Sequence, residues 1–89
     1  MAASEPRVTI SAHARSQALR RGLDIGLITT VAQSPEQRLQ VRVGREVRQS
    51  RVTLNGKLYL MRVVVDMSTE WQEIVTVYRT SKVEKYWSR

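Results

Sequence analysis

The sequence contains no cysteine, and its 89 residues include one histidine, two prolines and five aromatic side chains. The missing thiols exclude disulfides, thiolate metal sites and cysteine-based catalysis. A single histidine among scattered acids forms no recognisable zinc motif, so no metal or other cofactor is expected. No apolar run approaches the roughly 18–20 residues that a membrane-spanning helix needs.

The first six residues, Met1 to Pro6, have neither the basic start nor the apolar stretch of a signal peptide. They predict a flexible N-terminus over residues 1–6, followed by one domain over residues 7–89. The hydrophobic content of 42% is ordinary for a globular chain. We therefore expect a cytoplasmic protein that makes no membrane contact.

Acidic residues are scarce relative to basic ones: 15 Lys and Arg face 8 Asp and Glu, for a formal net charge of +7. Most of these cations are arginines, whose planar donor fork matches phosphate. Four arginines and no acid lie from Arg7 to Arg21, and five arginines against Glu46 alone lie from Arg38 to Arg51. This pattern indicates nucleic-acid binding, with Arg21 among the binding residues. A solvated basic surface, or one that docks an acidic protein, is the alternative.

Two short helices are predicted near the N-terminus. Ser11 is a good N-cap for a helix over Ala12–Arg21, which a glycine then closes. Asp24 caps a second helix from Ile25 to about Gln33. Ser34-Pro35 ends it, because the residue before proline is disfavoured in the helical region.

The hydrophobic period then changes to two, which is typical of strands. Four strands are predicted, over Gln37–Val43, Glu46–Leu54, Lys57–Asp66 and Gln72–Thr80, after a short lead-in strand at Arg7–Ile10. Asn55-Gly56 predicts a tight hairpin turn. The fold class is therefore α+β, with two N-terminal helices packed on one face of a curved antiparallel sheet of about four strands. Residues 81–87 are expected to form a helical turn or an irregular segment.

Pairing Leu54 with Lys57, and Asp66 with Gln72, assigns the side chains to two faces. The face that forms the core carries Val52, Tyr59, Met61, Val63, Val65, Val75 and Val77. The other face carries Gln49, Arg51, Arg62, Thr76, Tyr78 and Thr80. In this register Arg62 lies opposite Thr76.

The second face, which mixes arginines and hydroxyls, predicts a site for a scissile phosphate. Guanidinium groups stabilise the charge of a pentavalent phosphorus, and a phenol or imidazole moves protons. Histidine is the side chain that ordinarily exchanges protons near neutral pH, and His13 is the only one. It reaches this face only if the first helix lies at the edge of the sheet. Otherwise His13 is a surface or packing residue.

Seven segments within residues 9–87 form a more specific combination. They are Ser11-Ala-His13-Ala-Arg15, Arg21-Gly22, Ser34-Pro35, Gly44–Arg51, Arg62–Asp66, Val75–Lys82 and Lys85-Tyr86-Trp87. Together they resemble a small bacterial family of uncharacterised domains that is grouped with the RelE/ParE/BrnT-like toxins. The segment from Val75 to Lys82 is the most specific part of the resemblance.

The resemblance implies a RelE-like fold and metal-independent RNA cleavage by 2′-OH attack, which leaves a cyclic phosphate. It implies proton transfer by His13 and phosphate stabilisation by Arg62. Tyr78 and Thr80 would position or polarise the scissile group. A toxin of a toxin–antitoxin or related system is the resulting expectation.

The resemblance also implies residues that bind the RNA backbone, namely Arg45, Arg51, Lys82 and Lys85. An acidic antitoxin-like protein that covers the basic face is the expected partner beside RNA. The aromatic pair Tyr86-Trp87 is expected to cap the edge of the domain rather than stack on bases. The alternative is a non-catalytic nucleic-acid-binding or protein-interaction module that uses the same face.

Overall fold

The computed structural model describes residues 8–89, so the predicted flexible N-terminus at residues 1–6 lies outside the described part. The elements in chain order are β1 (Val8–Ile10), α1 (Ala12–Arg20), α2 (Ile25–Gln33), β2 (Gln37–Arg42), β3 (Arg45–Leu54), β4 (Lys57–Asp66), β5 (Gln72–Thr80) and α3 (Val83–Tyr86). The predicted α+β class is confirmed. No helix among the described residues has the length and apolar character needed to cross a membrane.

The sheet has five strands in the order β1-β5-β4-β3-β2. Four of them form an antiparallel meander, whereas β1 pairs in parallel with β5, placing Val8 opposite Gln72 and Ile10 opposite Ile74. The sheet is therefore mixed, and the prediction of about four antiparallel strands is wrong at this edge. Strand propensity marks β1 in the sequence, but its partner lies more than 60 residues away and leaves no local signal.

Both predicted helices are confirmed, and each begins at its predicted cap. The Ser11 hydroxyl accepts the N–H of Ala14 at 3.0 Å, and an oxygen of the Asp24 carboxylate accepts the N–H of Leu27 at 2.9 Å. These side chains satisfy backbone donors that have no partner within the first turn. After α1 the chain turns at Gly22, which has a φ of 65° that glycine adopts without steric cost.

The main core lies between the two helices and one face of the sheet. Small residues of α1 let it approach β5, and α2 packs against β4 and β3. The buried residues are Ala14, Ala18, Leu23, Ile28, Val31, Ala32, Met61, Val63, Val65, Ile74 and Val77. Each larger aliphatic side chain contributes about 1.5–3 kcal/mol when fully buried.

The β3–β4 hairpin has the predicted register, with Leu54 opposite Lys57 and Gln49 opposite Arg62. Its turn residues Asn55-Gly56 have φ values of 51° and 78°. Positive φ at both positions is what a type I′ turn requires. This short connection fixes which side chains of the two strands share a face.

The register between β4 and β5 differs from the prediction. Arg62 lies opposite Tyr78 rather than opposite Thr76. Beyond Thr76 the pairing shifts by one residue, because Val75 is an extra residue in β5. Consequently Ile74 points into the core in place of Val75, which is half-buried.

The face opposite α1 and α2 is covered by the C-terminal segment, here defined as residues 83–88. Its first residue, Val83, is buried, and α3 packs against β4. Leu60 is fully buried although its side chain lies on this face. Of the two forms expected for residues 81–87, the helical one is therefore found, over Val83–Tyr86.

Candidate functional site

A groove of about 550 Å³ runs along the outer edge of β5, beside α1. It is lined by Gln17, Arg21, Thr76, Tyr78 and Arg79. β1 pairs with only Gln72–Ile74, so among the described residues no strand flanks the second half of β5 on its outer side, opposite β4. Tyr78 enters the groove from the face opposite the helices, and Arg79 from the helix-covered face. The groove therefore wraps around an exposed sheet edge.

Two side chains, Gln17 of α1 and Arg21 directly after this helix, satisfy the backbone of this edge at Val77. The Val77 N–H donates to Gln17 Oε1 at 3.1 Å, and Arg21 Nη1 donates to the Val77 carbonyl at 2.6 Å. Gln17 is only 8% exposed, so its amide is fixed against the strand. Arg21, a predicted nucleic-acid-binding residue, thus uses one nitrogen for the fold while its guanidinium lines the groove.

The hydroxyl of Tyr78 is held by Arg62, which stands behind it. Arg62 Nη1 donates to Tyr78 Oη at 2.6 Å, and Arg62 Nε donates to Gln49 Oε1 at 2.9 Å. The Arg62 Cζ atom also lies 4.5 Å from the centre of the Tyr86 ring. Because a phenol oxygen that accepts a hydrogen bond still has its own proton to donate, the Tyr78 O–H can be offered to a group in the groove.

A buried amide network supports Arg62. Gln49 is fully buried, and its Nε2 donates to Gln37 Oε1 at 2.7 Å and to the Tyr86 carbonyl at 3.0 Å. Gln37 Oε1 also accepts the N–H of Ser88 at 3.0 Å. Strands β2, β3 and β4 and the C-terminal segment are therefore joined behind the Tyr78 hydroxyl.

The four predicted catalytic residues occupy different positions relative to the groove. Tyr78 lines it, and Arg62 reaches it through Tyr78. The Thr80 hydroxyl accepts the N–H of Lys82 at 3.1 Å, in the turn that follows β5. His13 is exposed in the first turn of α1, one turn before Gln17, and it does not line the groove. α1 contacts β5 from the helix-covered face, and a role for His13 requires in addition that its side chain point to the opposite face of the sheet.

Two of the predicted phosphate-binding arginines are held in ion pairs. Arg45 Nη2 lies 2.8 Å from an oxygen of Asp66, whose pKa is well below its ordinary value because Ser68 and Arg45 donate hydrogen bonds to it. Arg51 binds both carboxylate oxygens of Glu36. Hydrogen bonds from Arg51 lower the pKa of Glu36 to about 2.

The aromatic pair of the C-terminal segment covers two arginines. The Trp87 ring centre lies 4.3 Å from Arg51 Cζ, and Tyr86 covers Arg62. The predicted binding residues Lys82 and Lys85 are exposed. Positive charge is therefore available at the end of β5 and on α3, whereas the arginines beneath the aromatic pair already have partners.

Arg48 belongs to the basic cluster of the sequence but is an interior residue, only 3% exposed. It lies on the helix-covered face, where Nε contacts Glu46 at 2.6 Å and Nη1 donates to the Ala32 carbonyl at 2.6 Å. Burial acts to raise the pKa of Glu46, but hydrogen bonds from Arg48 and Arg38 outweigh it and hold this pKa below its ordinary value. The charge of Arg48 thus serves the fold.

Sequence reasoning missed three residues of the site: Gln17, Gln49 and Arg79. The spacing of Gln17 four residues after His13 and four before Arg21 places these side chains along one side of α1. That spacing is a usable signal for Gln17. Arg79 follows Tyr78 directly and so belongs to the opposite face, where its Cζ atom lies 4.6 Å from the Tyr59 ring centre. Alternation placed Gln49 on the predicted site face, opposite Arg62, but its burial by a segment nearly 40 residues away has no sequence signal.

Within residues 8–89 no three or more His, Cys, Asp or Glu side chains are grouped so that they could hold a metal ion. Comparisons with protein-family models, curated proteins and solved structures found no match to the chain.

Proposed function

We propose that this chain is a metal-independent endoribonuclease of RelE-like type, acting as the toxin of a toxin–antitoxin or related system. The observation that carries the proposal is the Tyr78 hydroxyl, which Arg62 holds at 2.6 Å on a groove that Arg21 and Arg79 also line. A proton donor between guanidinium groups at an open edge suits a phosphodiester, whose negative charge increases in the transition state.

In the proposed reaction, the 2′-oxygen of a nucleotide forms a bond to the adjacent phosphorus. The bond from phosphorus to the 5′-oxygen breaks, and the Tyr78 hydroxyl gives its proton to that oxygen. The 2′-OH proton passes to water, and the phenolate then regains a proton from water. The products are a 2′,3′-cyclic phosphate and a 5′-hydroxyl, so atoms and charge balance. The guanidinium groups of Arg21 and Arg79 stabilise the pentavalent phosphorus.

The charge distribution supports RNA and an acidic protein as partners. Among the described residues, Arg15, Arg79, Lys82 and Lys85 take part in no ion pair. Their charges attract the phosphate backbone in a way that salt weakens. We propose that an acidic antitoxin-like protein neutralises the activity by covering the same groove.

A second candidate is a non-catalytic RNA-binding module, and the position of His13 favours it. His13 is exposed and does not line the groove, so among the described residues the groove is lined by the phenol of Tyr78 but by no imidazole or carboxylate. Binding needs only the arginines and the open edge. Cleavage needs the Tyr78 proton as well.

Incubation with single-stranded and structured RNA in EDTA separates the two candidates. The wild type is expected to cleave, and Tyr78→Phe to lose at least about 100-fold in rate, as removal of a general acid predicts. Tyr59→Phe is the matched control, because Tyr59 lies on the helix-covered face. RNA left intact but shifted in a salt-sensitive manner would refute the nuclease and support the binding module. Undiminished cleavage by Tyr78→Phe would refute the role of Tyr78.

A further inference from the structure

We infer that Gln49 is a positioning residue that, together with the C-terminal segment, sets the direction of the Tyr78 hydroxyl. Gln49 is fully buried, so it never touches RNA. Its effect on cleavage rests on the proposed function, whereas its effect on Arg62 does not.

The amide of Gln49 has one permitted orientation. Its Oε1 faces Arg62 Nε at 2.9 Å, and a guanidinium only donates hydrogen bonds. Its Nε2 faces the Tyr86 carbonyl at 3.0 Å, and a carbonyl only accepts them. Rotating the amide by half a turn would set donor against donor and acceptor against acceptor. Because Gln49 is fully buried, the orientation is strongly fixed.

The C-terminal segment closes this arrangement from outside. The Tyr86 ring lies over the Arg62 guanidinium, with 4.5 Å between the ring centre and Cζ. The Ser88 N–H binds Gln37 Oε1, the same atom that accepts from Gln49. Arg62 is thus fixed by the hydrogen bond from its Nε to Gln49 and by the Tyr86 ring that lies over its guanidinium. Its Nη1 is left to donate to Tyr78.

The consequence appears at the Tyr78 oxygen. Arg62 Nη1 donates to that oxygen at 2.6 Å, which leaves the phenol proton to point away from Arg62. Arg62 does not line the groove, whereas Tyr78 lines it together with Arg21 and Arg79. A change at Gln49 that releases Arg62 therefore alters the direction of proton donation without altering any groove residue.

Gln49→Met tests this, because it keeps a similar volume and removes every hydrogen bond of the amide. The first measurement is the hydrogen exchange of the Arg62 Nε–H by NMR of ¹⁵N-labelled protein without RNA, with the signal assigned from Arg62→Lys. We expect slow exchange in the wild type and fast exchange in Gln49→Met. Gln49→Glu loses both donations of Nε2, to Gln37 and to the Tyr86 carbonyl, but it keeps the acceptor for Arg62 Nε and is therefore expected to restore slow exchange. Gln37→Met keeps the contact from Gln49 to Arg62, so its Arg62 Nε–H should remain slow.

The second measurement is RNA cleavage. In Gln49→Met we expect kcat to fall about 10- to 100-fold, as a small misplacement of a reacting group predicts, with little change in KM. Gln49→Glu should recover much of this loss. The double variant Gln49→Met/Tyr78→Phe should be no slower than Tyr78→Phe alone, since both changes remove the same proton donation.

Two results would overturn the inference: slow exchange of the Arg62 Nε–H in Gln49→Met, or losses from Gln49→Met and Tyr78→Phe that multiply. If Gln49→Met does not fold, Gln49→Glu and Gln37→Met decide the inference. Hydrogen exchange of the Arg62 Nε–H must then remain slow in both variants. A wild type that leaves RNA intact refutes the proposed function instead. The exchange measurement then still decides the role of Gln49.

Discussion

Replacing Arg48 with methionine tests how much of the basic character of this chain serves its interior. Methionine retains an aliphatic stem but removes the contact with Glu46 and the hydrogen bond to the Ala32 carbonyl, both at 2.6 Å. Removing one partner of a buried ion pair costs about 3–5 kcal/mol. Because Glu46 keeps Arg38 at 2.8 Å, the lower end of this range applies. We expect the free energy of unfolding to fall by about 3 kcal/mol, including the unsatisfied carbonyl.

The chain itself provides a matched control in Arg38→Met. Arg38 binds the same oxygen of Glu46, but its side chain is 55% exposed against 4% for Arg48. An exposed pair of this kind contributes less than about 1 kcal/mol. For a domain of this size, Arg48→Met should lower the melting temperature by about 12–24 °C, and Arg38→Met by no more than about 8 °C.

Urea and thermal denaturation, followed by circular dichroism, measure both variants. Equal losses in the two, or a loss below about 1 kcal/mol in Arg48→Met, would refute the assignment of Arg48 to the interior. The pH dependence provides a second check. The folded-state pKa of Glu46 is lowered, so its stabilisation is complete above the ordinary value of 4.5 and is lost as pH falls through the folded value. The stability difference between wild type and Arg48→Met should therefore shrink in acid.

Three further outcomes are expected. In urea denaturation, Val77→Ala should lower the free energy of unfolding by about 2 kcal/mol and Val75→Ala by less than about 1 kcal/mol, since only Val77 is fully buried. Equal losses would contradict the bulge at Val75. The pKa of Glu36 is about 2 beside Arg51, so the stabilisation from this pair is present above pH 4.5 and disappears towards pH 2. Glu36→Gln, measured over the same pH range, should lack this acid-dependent loss of stability. Identical pH profiles for the two proteins would contradict the role of this ion pair. Gly56→Ala should cost about 1–2 kcal/mol in melting experiments because φ is 78° at this position, and a neutral effect would mean that the turn relaxes.

Local signals made much of the fold predictable. The caps at Ser11 and Asp24 and the Asn55-Gly56 turn act within a few residues of themselves, and the structure confirms each one. The bulge is different. Ile74 and Val75 are both apolar and β-branched, so alternation alone does not decide which of them enters the core. That choice depends on pairing with β4 across the sheet.

The candidate site was predictable in its chemistry and less so in its geometry. Tyr78 and Arg62 were placed on one face, and the structure brings them into direct contact. For Arg48, the charge pattern in the sequence indicated the wrong location, since this residue is buried. Alternation from Val52 is consistent with the core face for Arg48, whereas its membership of a basic cluster suggests the surface. Gln17 and Gln49 are uncharged amides that bond to groups more than 35 residues away, and those contacts leave no local signal in the sequence.

The closure of the β5 edge by Gln17 and Arg21 has a consequence for assembly. An exposed strand pairs readily with another copy of itself, and proteins commonly block such edges. Here two side chains occupy the N–H and the carbonyl of Val77, where the backbone of a neighbouring strand would bind. Removing both side chains would free this N–H and this carbonyl, and we then expect the edge to pair with a second copy of the chain more readily as concentration rises.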